Sequence, residues 1–291
     1  MAVPRYRILA LDVDGTLLDR HGALRTSTIE AVARAARAGI RPVLCTGRRY
    51  RRARPIADLL GLDAPIVCNS GAIVKSPGDH GTLWRADFDP ETAAALLDLF
   101  HAHDQLIVAF NDRPPDQADF RVSRFSSGRP HYDDYVDRNR EHAEPAVDWT
   151  AEALFHMCAV GERDEMTAFE RIVLDACAGR VRTFVQRSPA YKGTMCEVVR
   201  KDAGKWAAVL HVAVLWGVAP EEICAVGDDV NDATMIEGAG LGVAMGHAPP
   251  AVLALADHVT GDHDEDGVAM LIDGLLAGDV GPGRIGPGAP S

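Results

Sequence analysis

The residues best suited to chemistry in this 291-residue chain are aspartates that follow short apolar runs. Asp12 and Asp14 lie two apart in Asp12-Val13-Asp14-Gly15-Thr16, at the end of the run ILALDV (residues 8–13). Asp228, Asp229 and Asp232 fall in GDDVND, directly after ICAV (223–226), and Thr46-Gly47-Arg48 follows PVLC (42–45). If these runs are neighbouring strands, up to five carboxylates meet at one edge, where they would repel and raise one another's pKa values. A hard divalent cation with oxygen ligands removes that conflict, and magnesium is the usual one where phosphate is the other ligand.

Two aspartates at this spacing can divide the work of phosphoryl transfer. Asp12 can hold a metal with one oxygen and attack phosphorus with the other. Asp14 can protonate the leaving oxygen and then take a proton from the attacking water. Gly15 lets the chain turn sharply, while Thr46 offers a hydroxyl and Gly47 a backbone N–H to phosphoryl oxygens. A lysine is still required to balance charge on the transferring group, and Lys201 and Lys205 are both placed for it. One Asp-Gly after a strand is explained by turn preference alone. Three such segments after three apolar runs are not.

These segments need a scaffold that brings strand ends together. Residues 8–13, 42–45 and 65–68 read as strands, separated by helical spacing at 28–38 and around 56–60; the alternation implies βαβ crossovers and a parallel sheet. It resumes with a helix at 206–216, strands at 223–226 and 241–245, and a closing helix at 268–276. Between these halves the texture changes. Helices are expected at 90–101 and 165–176 and strands at 106–110, 155–160 and 182–186, with 111–148 polar and irregular. The fold class is therefore α/β, a Rossmann-like parallel-sheet core domain with an inserted α+β domain. The expected division is core at 1–83 and 191–277, insert at 84–190, and a disordered tail from Gly278.

The motifs carry a family resemblance. LDVDGTLLD, CTGR and GDDVNDATMI, with the C-terminal stretches GLGVAMGHAP and VTGDHDEDGVAMLI, resemble the haloacid dehalogenase-like superfamily, in particular its Cof-type phosphatases with a type IIB cap. The resemblance implies that Asp12 is the nucleophile and Asp14 the acid and base. It implies that magnesium is held by Asp12, the backbone carbonyl of Asp14, and Asp228, with Asn231 and Asp232 supporting metal or phosphate from behind. It also implies that the insert is a mobile cap. Lys205 matches the family's lysine, which comes just before a helix. A cation is disfavoured at a helix N-terminus by the dipole, so a lysine there points to a nearby anion, and Lys205 is preferred over Lys201. The family usually has Asn where this chain has His247 and His263; both are expected to face the cleft.

The expected activity is magnesium-dependent hydrolysis of a small phosphorylated metabolite, with a sugar phosphate first in line. The alternatives are a phosphotransferase or phosphomutase using the same intermediate, and a non-catalytic phospholigand sensor. The net charge of −12 and the lack of a basic stripe with interleaved aromatics argue against nucleic-acid binding. The longest apolar run, 207–219, falls short of the ~20 residues that span a bilayer. With no signal-peptide pattern and six scattered cysteines, a cytoplasmic location is expected. Gly238-Ala239-Gly240-Leu241-Gly242 precedes a strand and so does not read as a dinucleotide loop. His101 and His103 are expected at the surface, as are Arg49–Arg52 on a solvated helix face and Arg121, Arg124 and Arg129 in a solvated loop.

Overall fold

The computed structural model describes residues 4–150, 153–187 and 191–281, so the tail expected to be disordered lies, from residue 282, outside the described residues. The chain forms two compact units, one built from the residues up to Trp84 and from Gly204 onward, the other from Arg85–Ala203.

The first unit begins with β1 (Ile8–Leu11), α1 (Thr26–Arg37), β2 (Arg41–Leu44), α2 (Tyr50–Leu59), β3 (Ile66–Cys68), β4 (Ile73–Lys75) and β5 (Thr82–Arg85). The insert holds α3 (Pro90–Ala102), β6 (Val108–Phe110), β7 (Phe120–Val122), α4 (Pro130–Arg138), β8 (Ala143–Pro145), β9 (His156–Gly161), α5 (Arg163–Ala176), β10 (Val181–Gln186) and β11 (Thr194–Arg200). The chain then returns to the first unit. It adds α6 (Lys205–Trp216), β12 (Ile223–Gly227), α7 (Ala233–Gly238), β13 (Leu241–Ala244), α8 (Pro250–Leu253), β14 (His258–Val259) and α9 (Gly267–Ala277).

The core sheet has five parallel strands in the order β14-β13-β12-β1-β2. β1 is buried along its whole length, as an apolar strand covered on both faces must be. Its register sets Leu11 opposite both Val226 and Leu44, so the next residues of the three strands emerge side by side. α6 lays Ala208, Val209, Val212 and Ala213 against Ile8, Ala10, Val43, Ile223 and Ala225 of the sheet. Burial of the two valines alone contributes about 3–6 kcal/mol. That anchor fixes where Lys205, the first residue of α6, must sit.

Two expectations for the core need adjustment. The run at 65–68 was expected as a further parallel strand. β3 does run parallel beside the end of β2, but meets it at a single bridge, Cys45 with Val67, and heads a separate three-stranded sheet in the order β3-β4-β5. Arg49, expected on a solvated helix face, is buried, whereas Arg52 is exposed. All six cysteines are buried free thiols.

The insert is a six-stranded sheet ordered β10-β11-β9-β6-β7-β8, with α3 and α5 packed on one face through Leu96, Phe100, Met166, Phe169 and Val173. The boundary expected at 190 falls at Ala203 instead, because β11 pairs along its length with β9 and β10. Residues 111–148 are not irregular throughout. They hold β7, α4 and β8, with Phe120, Val122, Tyr132, Tyr135 and Val136 buried. Arg121, expected in a solvated loop, lies in β7 and is buried, donating from Nε to Asn111 Oδ1 at 3.2 Å and from Nη1 to the Asp148 carbonyl at 2.8 Å. Arg124 is exposed and Arg129 pairs with Asp104. His101 and His103 are at the surface, as expected.

Tyr132 tests the revised account of this segment, since its ring is fully buried and its hydroxyl donates to the Arg124 carbonyl at 2.8 Å. Tyr132→Ala should destabilise the insert by about 3–5 kcal/mol, and Tyr132→Phe by about 1 kcal/mol, as read by urea unfolding. A near-neutral Tyr132→Ala would mean that the segment is loosely packed after all.

Candidate active site

Asp12 is the first residue beyond β1, and its backbone N–H continues the ladder to the Val226 carbonyl at 3.0 Å. The parallel register therefore sets Asp12 beside Gly227, and Asp228 follows at the mouth of β12. Gly15 makes this crowding possible. Its φ is +86°, and a Cβ there would lie 2.4 Å from Asp228 Oδ2, so a side chain is excluded both by strain and by space. Thr16 then donates its hydroxyl to Asp228 Oδ1 at 3.1 Å.

Lys205 reaches into the same place from the start of α6. Its ammonium lies 2.6 Å from Asp12 Oδ1, 2.6 Å from Asp232 Oδ1 and 3.2 Å from Asn231 Oδ1. Lys205, Asp12 and Asp232 are only 1%, 4% and 0% exposed, so these charges have almost no water to lean on. Burial works to neutralise the lysine, but Asp12 and Asp232 outweigh it and hold its pKa above the usual range, so it stays charged. Burial first, then the neighbouring Asp232, pushes Asp12 well above the ordinary carboxylate range, with Lys205 opposing. Asp232 is raised by burial as well. Lys201, the rival lysine, belongs to the other unit and is exposed.

The remaining expected residues are distributed as follows. Asp232 is committed on both oxygens, because Oδ2 accepts the N–H groups of Asp228 and Asp229 at 3.1 Å each. It ties the loop to the lysine. Asp12 Oδ2 takes no hydrogen bond among the described residues. Thr46 is buried just past β2, and its hydroxyl oxygen accepts the Arg48 N–H at 3.0 Å, leaving its proton to donate. Gly47 follows it in the same loop. Asp14 turns outward and forms a two-pronged pair with Arg48, Nη2 to Oδ1 at 2.6 Å and Nε to Oδ2 at 2.8 Å. Both members are partly exposed, so the pair contributes at most about 1 kcal/mol and opens readily.

A turn not singled out from the sequence braces the site. Asn69, Ser70 and Gly71 all have positive φ (52°, 54° and 85°). Asn69 and Ser70 donate to the carbonyls of Arg48 and Thr46 at 3.0 and 3.1 Å, and Gly71 accepts from Gly204 at 3.4 Å. This turn joins the Thr46 loop to the residue before Lys205. The NSG tripeptide after an apolar run is the signal that marks it.

Asp12, Asp228 and Asp232 offer oxygens that lie within 4.8 Å of one another, facing one buried ammonium. That surplus of negative charge, with an all-oxygen donor set, fits a hard divalent cation. His247 and His263 lie beside this cluster, His247 Nε2 being 3.6 Å from Asp228 Oδ2.

The charge balance at Lys205 has a testable consequence. Lys205→Met should cost about 3–5 kcal/mol at neutral pH, because two buried carboxylates lose their cation. Without the lysine, Asp12 is driven further above its unfolded pKa of about 4. A carboxylate raised on folding favours the folded state at low pH, and that contribution is lost as pH rises through the folded pKa. In chelator, the stability deficit of the variant should therefore be smallest near pH 4 and grow toward neutrality. A deficit independent of pH would contradict this account.

Known proteins share both the sequence pattern and the architecture. A family model for haloacid dehalogenase-like hydrolases matches residues 9–272. The chain is 28% identical to the pyridoxal phosphate phosphatase YbhA of Escherichia coli, over 91% of this chain and 97% of that protein. It is 25% identical to the 5-amino-6-(5-phospho-D-ribitylamino)uracil phosphatase YwtE of Bacillus subtilis, over 94% and 99% respectively. A solved haloacid dehalogenase-like hydrolase of Bacteroides thetaiotaomicron superposes with a TM-score of 0.75 at 25% identity, covering 92% of this chain and 98% of that one. The chain belongs to the haloacid dehalogenase-like hydrolase family, and within it to the Cof-type phosphatases.

Proposed function

We infer that the chain hydrolyses a small phosphorylated metabolite, a sugar phosphate being the first class to test, through an aspartyl phosphate on Asp12 with magnesium as cofactor. The observation that carries this reading is the buried Asp12 carboxylate, held on one oxygen by Lys205. A carboxylate fixed in that way presents its other oxygen to an incoming phosphorus without having to be oriented again. Two relatives are named for different esters, a phosphorylated ribityl compound and pyridoxal phosphate. Their difference supports a small phosphorylated metabolite as the class and leaves the individual ester to be found by screening.

In this reading Asp12 attacks phosphorus and the alkoxide leaves. The Lys205 ammonium, the Thr46 hydroxyl and the Gly47 N–H stabilise negative charge on the transferring oxygens. Asp14 donates the proton to the leaving oxygen and later takes one from the water that cleaves the acyl phosphate. To do so it must leave its pair with Arg48, which a weak and partly exposed ion pair permits. Asp12, Asp228 and the backbone carbonyl of Asp14 would hold magnesium, which when bound supplies electrostatic stabilisation of the phosphoryl oxygens. Asn231 and Asp232 keep Lys205 in place. Substrate choice is assigned to the insert, residues 85–203.

Asp12→Asn should lower kcat on p-nitrophenyl phosphate by several orders of magnitude with an unchanged fold by circular dichroism. Near-parental turnover would remove the covalent route. Chelation should abolish activity and magnesium should restore it. Calcium should not, because an ion that takes 6–8 oxygen ligands engages both oxygens of Asp12. Full activity in chelator would remove the metal from the reading.

A further inference from the structure

Beside the carboxylate cluster lies a second group of metal-binding side chains with different chemistry. His247, Asp262 and His263 each bring a donor atom within 4.8 Å of the other two. His263 Nδ1 is 3.1 Å from Asp262 Oδ1 and 3.2 Å from His247 Nε2, and His247 Nδ1 is 3.4 Å from Asp262 Oδ2. Two donors about 2.0–2.1 Å from a tetrahedral ion stand about 3.3 Å apart. His263 Nδ1 is that close to His247 Nδ1 (3.3 Å), and each histidine is that close to one of the two Asp262 oxygens, so the three side chains are within reach of one ion once their donor atoms turn toward it. We propose that His247, Asp262 and His263 form a site for a borderline divalent ion such as zinc or cobalt, separate from the all-carboxylate cluster.

Three features favour a cation of this kind. The first is support behind the ligands. His263 turns Nδ1 toward the group and Nε2 toward Asp264 Oδ2 at 3.6 Å, and Asp264 is itself held by Arg20, whose Nε donates to Oδ2 at 2.5 Å. At 3.6 Å the His263–Asp264 contact is an ion-pair distance and not a hydrogen bond. A small turn of the ring on loading would close it, and a carboxylate hydrogen-bonded behind a ligating histidine fixes its tautomer and raises its basicity. Asp262 is likewise fixed, since its Oδ1 accepts the Asp264 N–H at 3.1 Å.

The second is the way the two imidazoles meet. Their planes cross at 84° with centroids 4.3 Å apart, and His263 Nδ1 is nearly equidistant from the two nitrogens of His247, 3.3 and 3.2 Å. An atom so placed lies over the face of the His247 ring, off the line of either nitrogen's lone pair. The contact is therefore not a strong hydrogen bond that would compete with an ion. Loading requires His247 to turn about Cβ–Cγ, a broad two-fold torsion that yields easily.

The third is charge. Asp228, Asp262 and Asp264 face the two histidines, and the nearby Arg20 and Arg25 are engaged by Asp264 and Asp266 respectively. That surrounding repels a phosphate and attracts a cation. Imidazole nitrogens select borderline ions over magnesium, which prefers oxygen throughout.

The test is cobalt(II) binding to the full-length protein in a large excess of magnesium, followed by visible absorption and by competition with a chelator. The parent should bind one equivalent with the absorption bands of nitrogen-ligated cobalt. The double variant His247→Asn/His263→Asn should lose those bands and bind at least ten-fold more weakly. Asp264→Asn keeps all three ligands and should weaken binding about ten-fold. Asp12→Asn should bind cobalt like the parent, so the site can stand or fall apart from the phosphatase reading. X-ray absorption of zinc on the unmutated protein should show imidazole scattering, which covers the case of a variant that folds poorly. Equal affinity of parent and double variant, or a zinc spectrum without imidazole, would overturn the site.

Discussion

Lys205 carries its ammonium into a place where Asp12 and Asp232 both lie within 2.6 Å and almost no water reaches. Removing an ion from water costs several kcal/mol, and an unpaired buried charge is not tolerated. Lysine and carboxylates must therefore be delivered together, from parts of the chain 193 residues apart. The core sheet delivers them. Its parallel register brings the ends of β1, β2 and β12 to one level, and the apolar face of α6 pins the helix whose first residue is the lysine.

The same constraint explains the small parts of the site. Gly15 has no side chain because Asp228 occupies the space that one would take. Asp232 spends one oxygen on the lysine and the other on two backbone N–H groups, so the loop after β12 cannot move without disturbing the charge balance. The left-handed turn at Asn69-Ser70-Gly71 costs backbone strain, which is offset because it holds the Thr46 loop and the start of α6 together. One ammonium facing three carboxylates leaves negative charge uncompensated. Such a surplus suits a further cation.

Much of this was legible in the sequence. Asp12, Thr46 and Asp228 follow short apolar runs, and a parallel sheet must bring such ends together. Lys205 was legible because a lysine at a helix N-terminus needs an anion to explain it. What stayed hidden depends on side-chain pairing across distance. Nothing in DVDGT shows that Asp14 turns out to Arg48, 34 residues away. Nothing in GHAP or GDHDED shows that His247 and His263 meet. Residues 111–148 looked irregular because the elements there are short, three-residue β7 and nine-residue α4, and their apolar positions are too few to show a period. The residues of β11 fell on the core side of the expected boundary because an apolar run reads the same whether it closes an insert or opens a core.

The central claim is that Asp12 itself takes the phosphoryl group, and trapping that bond tests it most directly. The protein would be mixed with a slowly hydrolysed phosphate ester in magnesium, quenched in acid and reduced with borohydride, which converts an aspartyl phosphate to homoserine. Peptide mass spectrometry then reads which residue was converted. The account predicts homoserine at position 12 and unmodified aspartate at 14, 228 and 232, with no conversion when substrate is omitted. Turnover with every aspartate left intact, or conversion at a position other than 12, would contradict it.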